Sequence, residues 1–153
     1  MTTRGYDTDV VLWAEDQADL LRRRAAGELV NDAELDWLNI AEEIEDLGRS
    51  QRRELGSRIA EILDHLIKLE VSSADGPRRG WRASVRKQRD EIERILGDAP
   101  SLRRTVPEVI AKELPAAKRR VLSELADYAE VPRATAGPVA YLEDQVLGDW
   151  FPD

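Results

Sequence analysis

The sequence predicts an all-α protein, a single-domain helical bundle of four main helices plus a short C-terminal helix within residues 1–153. Leucine and alanine occur 18 times each, and both favour helices. Every long segment repeats its apolar residues at the helical period, and none alternates as a half-buried strand does. Loop signals fall near 27–32, 72–80, 97–101 and 131–138.

The first two helices follow from a cap and from apolar spacing. Asp7 or Thr8 can cap a first helix that ends near Ala26. A turn over 27–32 leads to a second helix, from about Glu34 to about Val71. The predicted inner face of the first helix consists of Val10, Trp13, Ala14, Gln17, Leu20 and Leu21.

The second helix has an apolar stripe along its whole length. At ~100° per residue the members of the stripe fall on one side of the axis. They are Ile40, Ile44, Leu47, Leu55, Ile59, Ile62, Leu66 and Leu69. The stripe keeps its phase across Gly48, so we expect one continuous helix, with a bend at Gly48 as the alternative. Gly48 lies inside the stripe, where its missing side chain would let another helix approach closely.

The third helix is predicted over about 81–96, ending at Gly97 as a C-terminal cap. The fourth covers about 101–129, or begins at Thr105. There Thr-Val-Pro-Glu matches a capping box with proline in the first turn.

Pro115 lies inside the fourth helix and should kink it, because proline removes a backbone N–H and clashes with the preceding turn. After a loop over 131–138, residues 139–151 are predicted to form the short last helix. The tryptophans, at positions 13, 37, 81 and 150, are spread over separate elements, as core anchors usually are.

Composition and charge exclude several classes of protein. The chain has no cysteine, which excludes disulfides, thiol catalysis and thiolate metal sites. It has no run near the ~20 apolar residues of a membrane span. Its start, "MTTRGYDTDVVLW", lacks the basic and apolar regions of a signal peptide. These features predict a cytoplasmic protein that does not enter a membrane.

The net charge of −8 argues against a general attraction to nucleic acid or anionic lipid, but the charge is unevenly distributed. Residues 1–47 hold 4 arginines and 13 acidic residues, whereas 78–104 hold nine basic and four acidic residues. This pattern indicates that one part of the chain faces another part, or a second subunit.

The leading functional hypothesis is a non-enzymatic protein–protein interaction module. A helix over about 36–70 would be about 50 Å long at ~1.5 Å per residue, whereas a compact domain of this size is about 40 Å across. We therefore expect part of the stripe to extend beyond the bundle and to bind a second copy or another helical protein. The candidate interface comprises Gln51, Glu54, Leu55, Arg58, Glu61, His65 and Lys68, whose alternating charges would set the register.

The alternative hypothesis is a nucleic-acid-associated protein that uses the basic segment 78–89. Arginines beside an aromatic ring can bind phosphates and stack on a base. The candidate residues are Arg78, Arg79, Trp81, Arg82, Arg86, Lys87 and Arg89. The competing interpretation is a basic helix start that neutralises the acidic first third of the chain, with Trp81 as a buried anchor.

The sequence predicts no catalytic residue, no metal and no cofactor. Di-metal helical bundles use Glu-x-x-His, but Glu61 precedes the one histidine, His65, by four residues. A Mg²⁺ or Ca²⁺ site made of carboxylates stays possible without any signal for it. Nucleophile-elbow, dinucleotide-binding and P-loop patterns are missing from the sequence.

Several segments together resemble the bacterial family called domain of unknown function 29. The segments are "YDTDVVLWAEDQADLLR", "LDWLNIAEEIEDLGRSQRREL", "LDHLIKLE", "WRASVRKQRDEIERIL", "APSLRR" and "LEDQVLGDWFP". The run Asn39–Ser50 is the most specific of them. The resemblance implies an all-α bundle in a bacterial cytoplasm and no known activity. The chain departs from the family pattern at Leu69, where a tryptophan is usual, and at Pro107 and Pro115.

Overall fold

Helices make up the protein, which a computed structural model describes over residues 5–133 and 140–153. The described residues contain no strand, which confirms the all-α class with four long helices and one short helix. No helix in these ranges is both long enough and apolar enough to cross a membrane. The helices are α1 (Val10–Ala25), α2 (Trp37–Val71), α3 (Arg78–Asp98), α4 (Val106–Asp127) and α5 (Glu143–Leu147), with short 3₁₀ turns at Asp32–Glu34 and Pro100–Thr105.

Two compact units divide the chain, Met1–Arg49 and Ser50–Asp153, and their boundary falls within α2. The first unit contains α1, the first 3₁₀ turn and the start of α2. The second contains the rest of α2 and all later helices. Whether the units behave as the single domain that the sequence predicts stays a prediction.

Helix α1 begins at Val10 because Asp9, not Asp7 or Thr8, caps it: the Asp9 carboxylate accepts a hydrogen bond from the backbone N–H of Leu12 at 3.0 Å. Trp13 and Gln17 are buried as predicted. The prediction was wrong for Val10 and Ala14, which are exposed, so the inner face of α1 is narrower than the expected one. The helix is followed by Gly27, whose φ of 86° lies in the left-handed region that favours glycine.

Helix α2 starts at Trp37, three residues later than Glu34, because a 3₁₀ turn occupies Asp32–Glu34. Asn31 caps that turn by accepting from the backbone N–H of Ala33 at 3.0 Å. Helix α2 then continues without a break through Gly48 for 35 residues. The prediction of one continuous helix is confirmed.

The core of the second unit forms where three long helices bury their apolar faces. The five stripe residues of α2 from Leu55 onwards are at most 1 % exposed. Helix α3 adds Val85, Ile92, Ile95 and Leu96, and α4 adds Val106, Ile110, Leu114, Ala117, Val121 and Leu125. Side chains of this kind stabilise a fold by about 1.5–3 kcal/mol each when fully buried, so this unit contains most of the apolar burial.

Helix α3 is longer than predicted at both ends. It begins at Arg78, directly after Pro77, so the predicted loop over 72–80 ends at position 77. It also passes through Gly97 and ends at Asp98, so the prediction that Gly97 caps the helix was wrong. The capping residue is Ala99, whose N–H donates to the carbonyl of Ile95 at 2.8 Å.

Helix α4 begins at Val106, after Thr105, as the alternative start predicted. The capping box does not form, because the hydroxyl of Thr105 donates to the carbonyl of Leu102 at 2.6 Å instead. Pro107 lies in the first turn, where no N–H is needed. Pro115 lies inside the helix on its exposed side, and the helix continues through it.

Helix α5 has five residues, far fewer than the predicted range of 139–151, whose first residue lies outside the described residues, as do positions 134–138 of the predicted loop. The chain leaves the helix at Gly148 in an extended conformation. A side chain there would place its Cβ 2.5 Å from the carbonyl oxygen of Asp144. The tail that follows packs Trp150 and Phe151 against the core of the second unit.

Candidate functional site

The apolar stripe of α2 changes from exposed to buried along the helix. Ile44 is 68 % exposed and Leu47 is 67 % exposed, whereas Leu55, two turns further on, is 1 % exposed. Trp37 falls on the same side of the helix at ~100° per residue and is also exposed. These three residues, Trp37, Ile44 and Leu47, are called the exposed α2 face below. The alternative in which the whole stripe folds onto its own chain was therefore wrong.

Leu55 lies in the core of the second unit, not on an exposed interface. A partner could reach its side chain only by opening that core, so Leu55 does not belong to a surface interface. Gln51, one turn earlier, is half-buried. The apolar residues that the structure leaves exposed on this stripe lie closer to the start of α2 than the sequence hypothesis placed them.

The charged border of α2 finds its partners within the second unit. Arg58 donates to Glu54 Oε1 from Nη2 at 2.7 Å and to Gln88 Oε1 from Nη1 at 2.9 Å. Gln88 donates in turn to Glu61 Oε2 at 2.8 Å, and Ser84 donates to Glu61 Oε1 at 3.0 Å. The border thus sets the register between α2 and α3 of the same chain. Whether these residues also contact another chain stays a prediction.

Lys68 and His65, at the end of the same border, also have partners within the chain. The ammonium of Lys68 lies 2.7 Å from a carboxylate oxygen of Glu124 on α4 and 5.9 Å from the centre of the Trp81 ring. The Nδ1 of His65 donates to the carbonyl of Glu61 at 2.8 Å, since a carbonyl oxygen can only accept. Trp81 is half-buried beneath Lys68, as the anchor interpretation of the basic segment expects.

Arg89, from the predicted nucleic-acid patch, is buried and holds the C-terminal end of the chain. Its Nε donates to the carbonyl of Val146 at 2.9 Å, and its Nη2 donates to the carbonyls of Gln145 and Trp150 at 3.0 and 2.6 Å. Burial lowers the pKa of its guanidinium from the usual value. Two of these carbonyls belong to α5, so Arg89 supplies donors that the end of a short helix lacks.

Other arginines of the same patch also contact the protein itself. The Nη2 of Arg78 donates to the carbonyl of Leu69 at 2.8 Å. The guanidinium carbons of Arg82 and Arg86 lie 5.6 and 5.2 Å from the centre of the Phe151 ring, on which Arg89 also stacks at 4.7 Å. Of the seven predicted residues, Arg79, Arg86 and Lys87 are exposed. Nucleic-acid binding stays a prediction, and it concerns these three.

The first unit is held by a polar network around Asp36 that the sequence did not reveal. The Asp36 carboxylate accepts from Trp13 Nε1 at 3.0 Å and from Asn39 Nδ2 at 2.7 Å. The backbone N–H of Asp36 donates to Gln17 Oε1 at 2.8 Å, and Gln17 Nε2 donates to the carbonyl of Glu34 at 3.1 Å. The hydrogen bonds from Asn39 and Trp13 hold the pKa of Asp36 below its usual value. The network joins α1 to the start of α2.

Glu43, in the acidic run of α2, accepts a hydrogen bond from the hydroxyl of Tyr6. That bond raises the pKa of Tyr6 to about 12. Tyr6 also meets Trp13 edge to face, with ring centres 4.9 Å apart. The neighbouring Glu42, Glu45 and Asp46 are exposed, as the sequence predicts. One glutamate of the run is thus structural, and the others lie on the surface.

The groups with shifted pKa values in the second unit also have structural partners. Burial raises the pKa of Glu70, whose carboxylate accepts from the hydroxyl of Tyr141 at 3.0 Å. The pKa of Glu130 is held below its usual value by hydrogen bonds from the Ser72 hydroxyl and from the Ser73 and Ala74 N–H groups. Among the described residues, no three or more His, Asp or Glu side chains are grouped so that they could hold a metal ion. The absence of a bound metal stays a prediction.

A groove of about 650 Å³ beside α3 carries balanced charge. Its walls include the basic side chains of Arg86, Arg89 and Arg103. They also include the acidic side chains of Asp90, Glu93 and Asp149, and Phe151 lies among them. Because the opposite charges offset each other, the groove favours neither an anion nor a cation.

Comparisons with known proteins add a family and a fold. The model of the family described as "Domain of unknown function DUF29" matches residues 5–151. The crystal structure of an alpha-helical protein of unknown function from Rhodospirillum rubrum is similar at 27 % sequence identity and a TM-score of 0.59. The match covers 97 % of this chain and 92 % of that chain. No curated protein matches.

Proposed function

We propose that this chain, which belongs to the DUF29 family, is a non-enzymatic protein–protein interaction module that binds its partner through the exposed α2 face. One observation carries the proposal. The same apolar stripe that builds the core of the second unit is about two-thirds exposed at Ile44 and Leu47. Neighbouring apolar side chains exposed on one face of a soluble protein usually mark a binding surface.

The energetics of apolar burial support this proposal. Burying a leucine or isoleucine side chain contributes about 1.5–3 kcal/mol. Ile44 and Leu47 do not gain that contribution in the isolated chain, although Ile59, Ile62 and Leu66 on the same helix do. A partner helix laid along the exposed α2 face would bury them in the same way. Recognition of an amphipathic helix commonly uses anchors spaced by three, four and seven residues, and Trp37, Ile44 and Leu47 have this spacing.

The polar chemistry supports a binding role over a catalytic one. The groups with shifted pKa values, which include Tyr6, Asp36, Glu70 and Glu130, each hydrogen-bond to a structural neighbour. They occur at separate positions in the two units and are not gathered around one cavity. A catalytic centre usually gathers perturbed groups within one cleft.

The test removes the apolar character of the exposed α2 face without touching the core. In the variant Ile44→Glu with Leu47→Glu, both new carboxylates lie in solvent in the unbound protein. We expect its circular dichroism spectrum to equal that of wild type and its association to be lost. Association is measured by sedimentation velocity over a concentration series and by mass spectrometry of proteins that co-purify from the native host.

Leu29→Glu is the matched control, because Leu29 is 94 % exposed in the turn after α1 and lies outside α2. It makes the same chemical change and should leave association unchanged. If wild type is monomeric at every concentration and co-purifies with the same proteins as the double variant, the exposed α2 face binds nothing and the proposal is wrong.

A further inference from the structure

We propose that the partner is a second copy of this chain, whose α2 packs antiparallel against the first α2 about a two-fold axis near Leu47 and Gly48. The inference rests on the proposed function, because it uses the same exposed α2 face. It goes further by naming the occupant, the direction of the two helices and their register.

The charge pattern of α2 distinguishes a second copy from other helical partners. Four acidic residues, Glu42, Glu43, Glu45 and Asp46, precede the proposed axis, and three arginines, Arg49, Arg52 and Arg53, follow it. In an antiparallel pair the acidic half of each helix lies beside the basic half of the other. In a parallel pair each half meets its own charge. The sequence is therefore complementary to itself in one direction only, which is what a two-fold interface requires.

The apolar residues fit the same register. When two identical helices pair antiparallel about an axis between positions 47 and 48, Leu47 of one copy lies at the height of Gly48 of the other. Gly48 falls on the stripe side of α2 at ~100° per residue, so its missing side chain leaves room for the leucine. Ile44 of one copy then lies at the height of Gln51 of the other. Both positions are on the stripe.

Glu45 and Arg52 supply the ion pairs at the border of this interface. They are seven residues apart and so lie on the same flank of α2. A two-fold axis brings equivalent flanks together, so Glu45 of each copy meets Arg52 of the other. Both side chains are exposed. The nearest contact of Glu45 within the chain is a long one, 3.9 Å from Arg49 Nη2, which leaves the carboxylate free to bind a second arginine.

Single cysteines test the direction, because the natural chain has none. We expect oxidation of an equal mixture of Ile44→Cys and Gln51→Cys proteins to give the mixed disulfide-linked dimer. Neither protein alone should cross-link, because the two copies of one position are offset by seven residues. That offset is ~10 Å along the helix, beyond the ~7 Å between Cα atoms that a disulfide spans. Leu29→Cys mixed with either protein is the matched control and should not cross-link.

Charge exchange tests the ion pairs by sedimentation. Glu45→Arg and Arg52→Glu should each weaken the dimer about tenfold, because two ion pairs are lost at once and like charges replace them. The double variant that carries both changes restores unlike pairs in the antiparallel arrangement, so its dimer should recover. In a parallel arrangement the double variant keeps like charges opposite each other and gains nothing.

Each further outcome has a defined meaning. Cross-linking of Ile44→Cys with itself indicates a parallel pair and overturns the inference, as does a dimer that gives no mixed disulfide. A monomeric protein whose co-purifying partner is lost on Ile44→Glu with Leu47→Glu overturns the second copy but retains the proposed function. A monomer without any such partner overturns both.

Discussion

Arg89 shows how a single residue from a basic run becomes part of the fold. Its guanidinium donates to three carbonyls at the C-terminal end of the chain and stacks on Phe151. Arg86, three residues earlier, stacks on the same ring but is exposed. The two arginines are thus matched in type and ring contact, and they differ in burial and in hydrogen bonding to the backbone.

Arg89→Leu should lower the free energy of unfolding by about 2–4 kcal/mol, because it leaves buried carbonyls without donors. Arg86→Leu should change it by less than about 1 kcal/mol, since an exposed cation over a ring contributes little. Urea denaturation followed by circular dichroism measures both. Equal effects would mean that the carbonyl contacts of Arg89 do not stabilise the fold.

Glu70 gives the chain a predictable pH response. Its pKa is raised above the usual 4.5, mainly by burial. The folded state therefore holds the proton more tightly than the unfolded state does, so the stabilisation is full below pH 4.5 and is lost as the pH rises through the raised pKa. Glu70→Gln cannot ionise, and its amide oxygen can still accept from Tyr141.

We expect Glu70→Gln to gain stability relative to wild type as the pH rises from about 4 to 7, because it never has to bury a charge. Melting temperatures at both pH values measure this gain. Glu93→Gln, at an exposed position on α3, corrects for the removal of one negative charge from the whole chain. A melting difference that is the same at both pH values would contradict the assignment.

At the scale of an element, α2 is one helix with two environments. Its stripe has the same composition and phase throughout, yet Ile62 is 0 % exposed in the core and Ile44 is mostly exposed. The helix itself does not cause this difference. The apolar faces of α3 and α4 cover the later half of the stripe, and no apolar face within the described part of the chain covers Ile44 and Leu47 to the same degree.

Ile62→Ala and Ile44→Ala form a matched pair on this helix. Ile62→Ala should lower the free energy of unfolding by about 2–5 kcal/mol, because it removes buried methyl groups and leaves a cavity. Ile44→Ala should change it by less than about 0.5 kcal/mol at a protein concentration too low for association. Urea denaturation separates the two. A large loss for dilute Ile44→Ala would mean that the chain itself covers this residue.

At the scale of the whole molecule, apolar burial is concentrated in one unit. The buried apolar residues of the first unit are Trp13 and Leu35, and the polar network of Asp36 and Gln17 supports them. The second unit buries the apolar faces of three long helices. A unit with so few buried apolar contacts opens with a smaller free energy than one with a full core.

Native-state hydrogen exchange should therefore give lower opening free energies for the amides of α1 than for those of α3 and α4. The protection of α1 should rise with protein concentration if the exposed α2 face binds a second copy, because association stabilises only the folded form. Equal opening free energies throughout the chain would instead mean that it unfolds as the single domain that the sequence predicts.

The sequence by itself determined the helices, because the pattern and the caps that define them are local. The stripe of α2 predicted a continuous helix through Gly48, and Thr-Val-Pro-Glu predicted the later start of α4. Errors concentrated at ends where a local signal competes with the surroundings. Helix α3 passes Gly97, and the predicted C-terminal helix stops at Gly148 because a side chain there would clash with Asp144.

Only the tertiary structure decided which parts of equivalent patterns are exposed, because burial depends on residues distant in the chain. Periodicity placed Ile44 and Leu55 on one stripe, but the faces of α3 and α4 bury only the latter. Charge placed Arg86 and Arg89 in one patch, but the carbonyls of a segment more than fifty residues later bury only Arg89. Local patterns therefore identified the helices, whereas packing between distant segments decided which of their residues remain exposed for a partner.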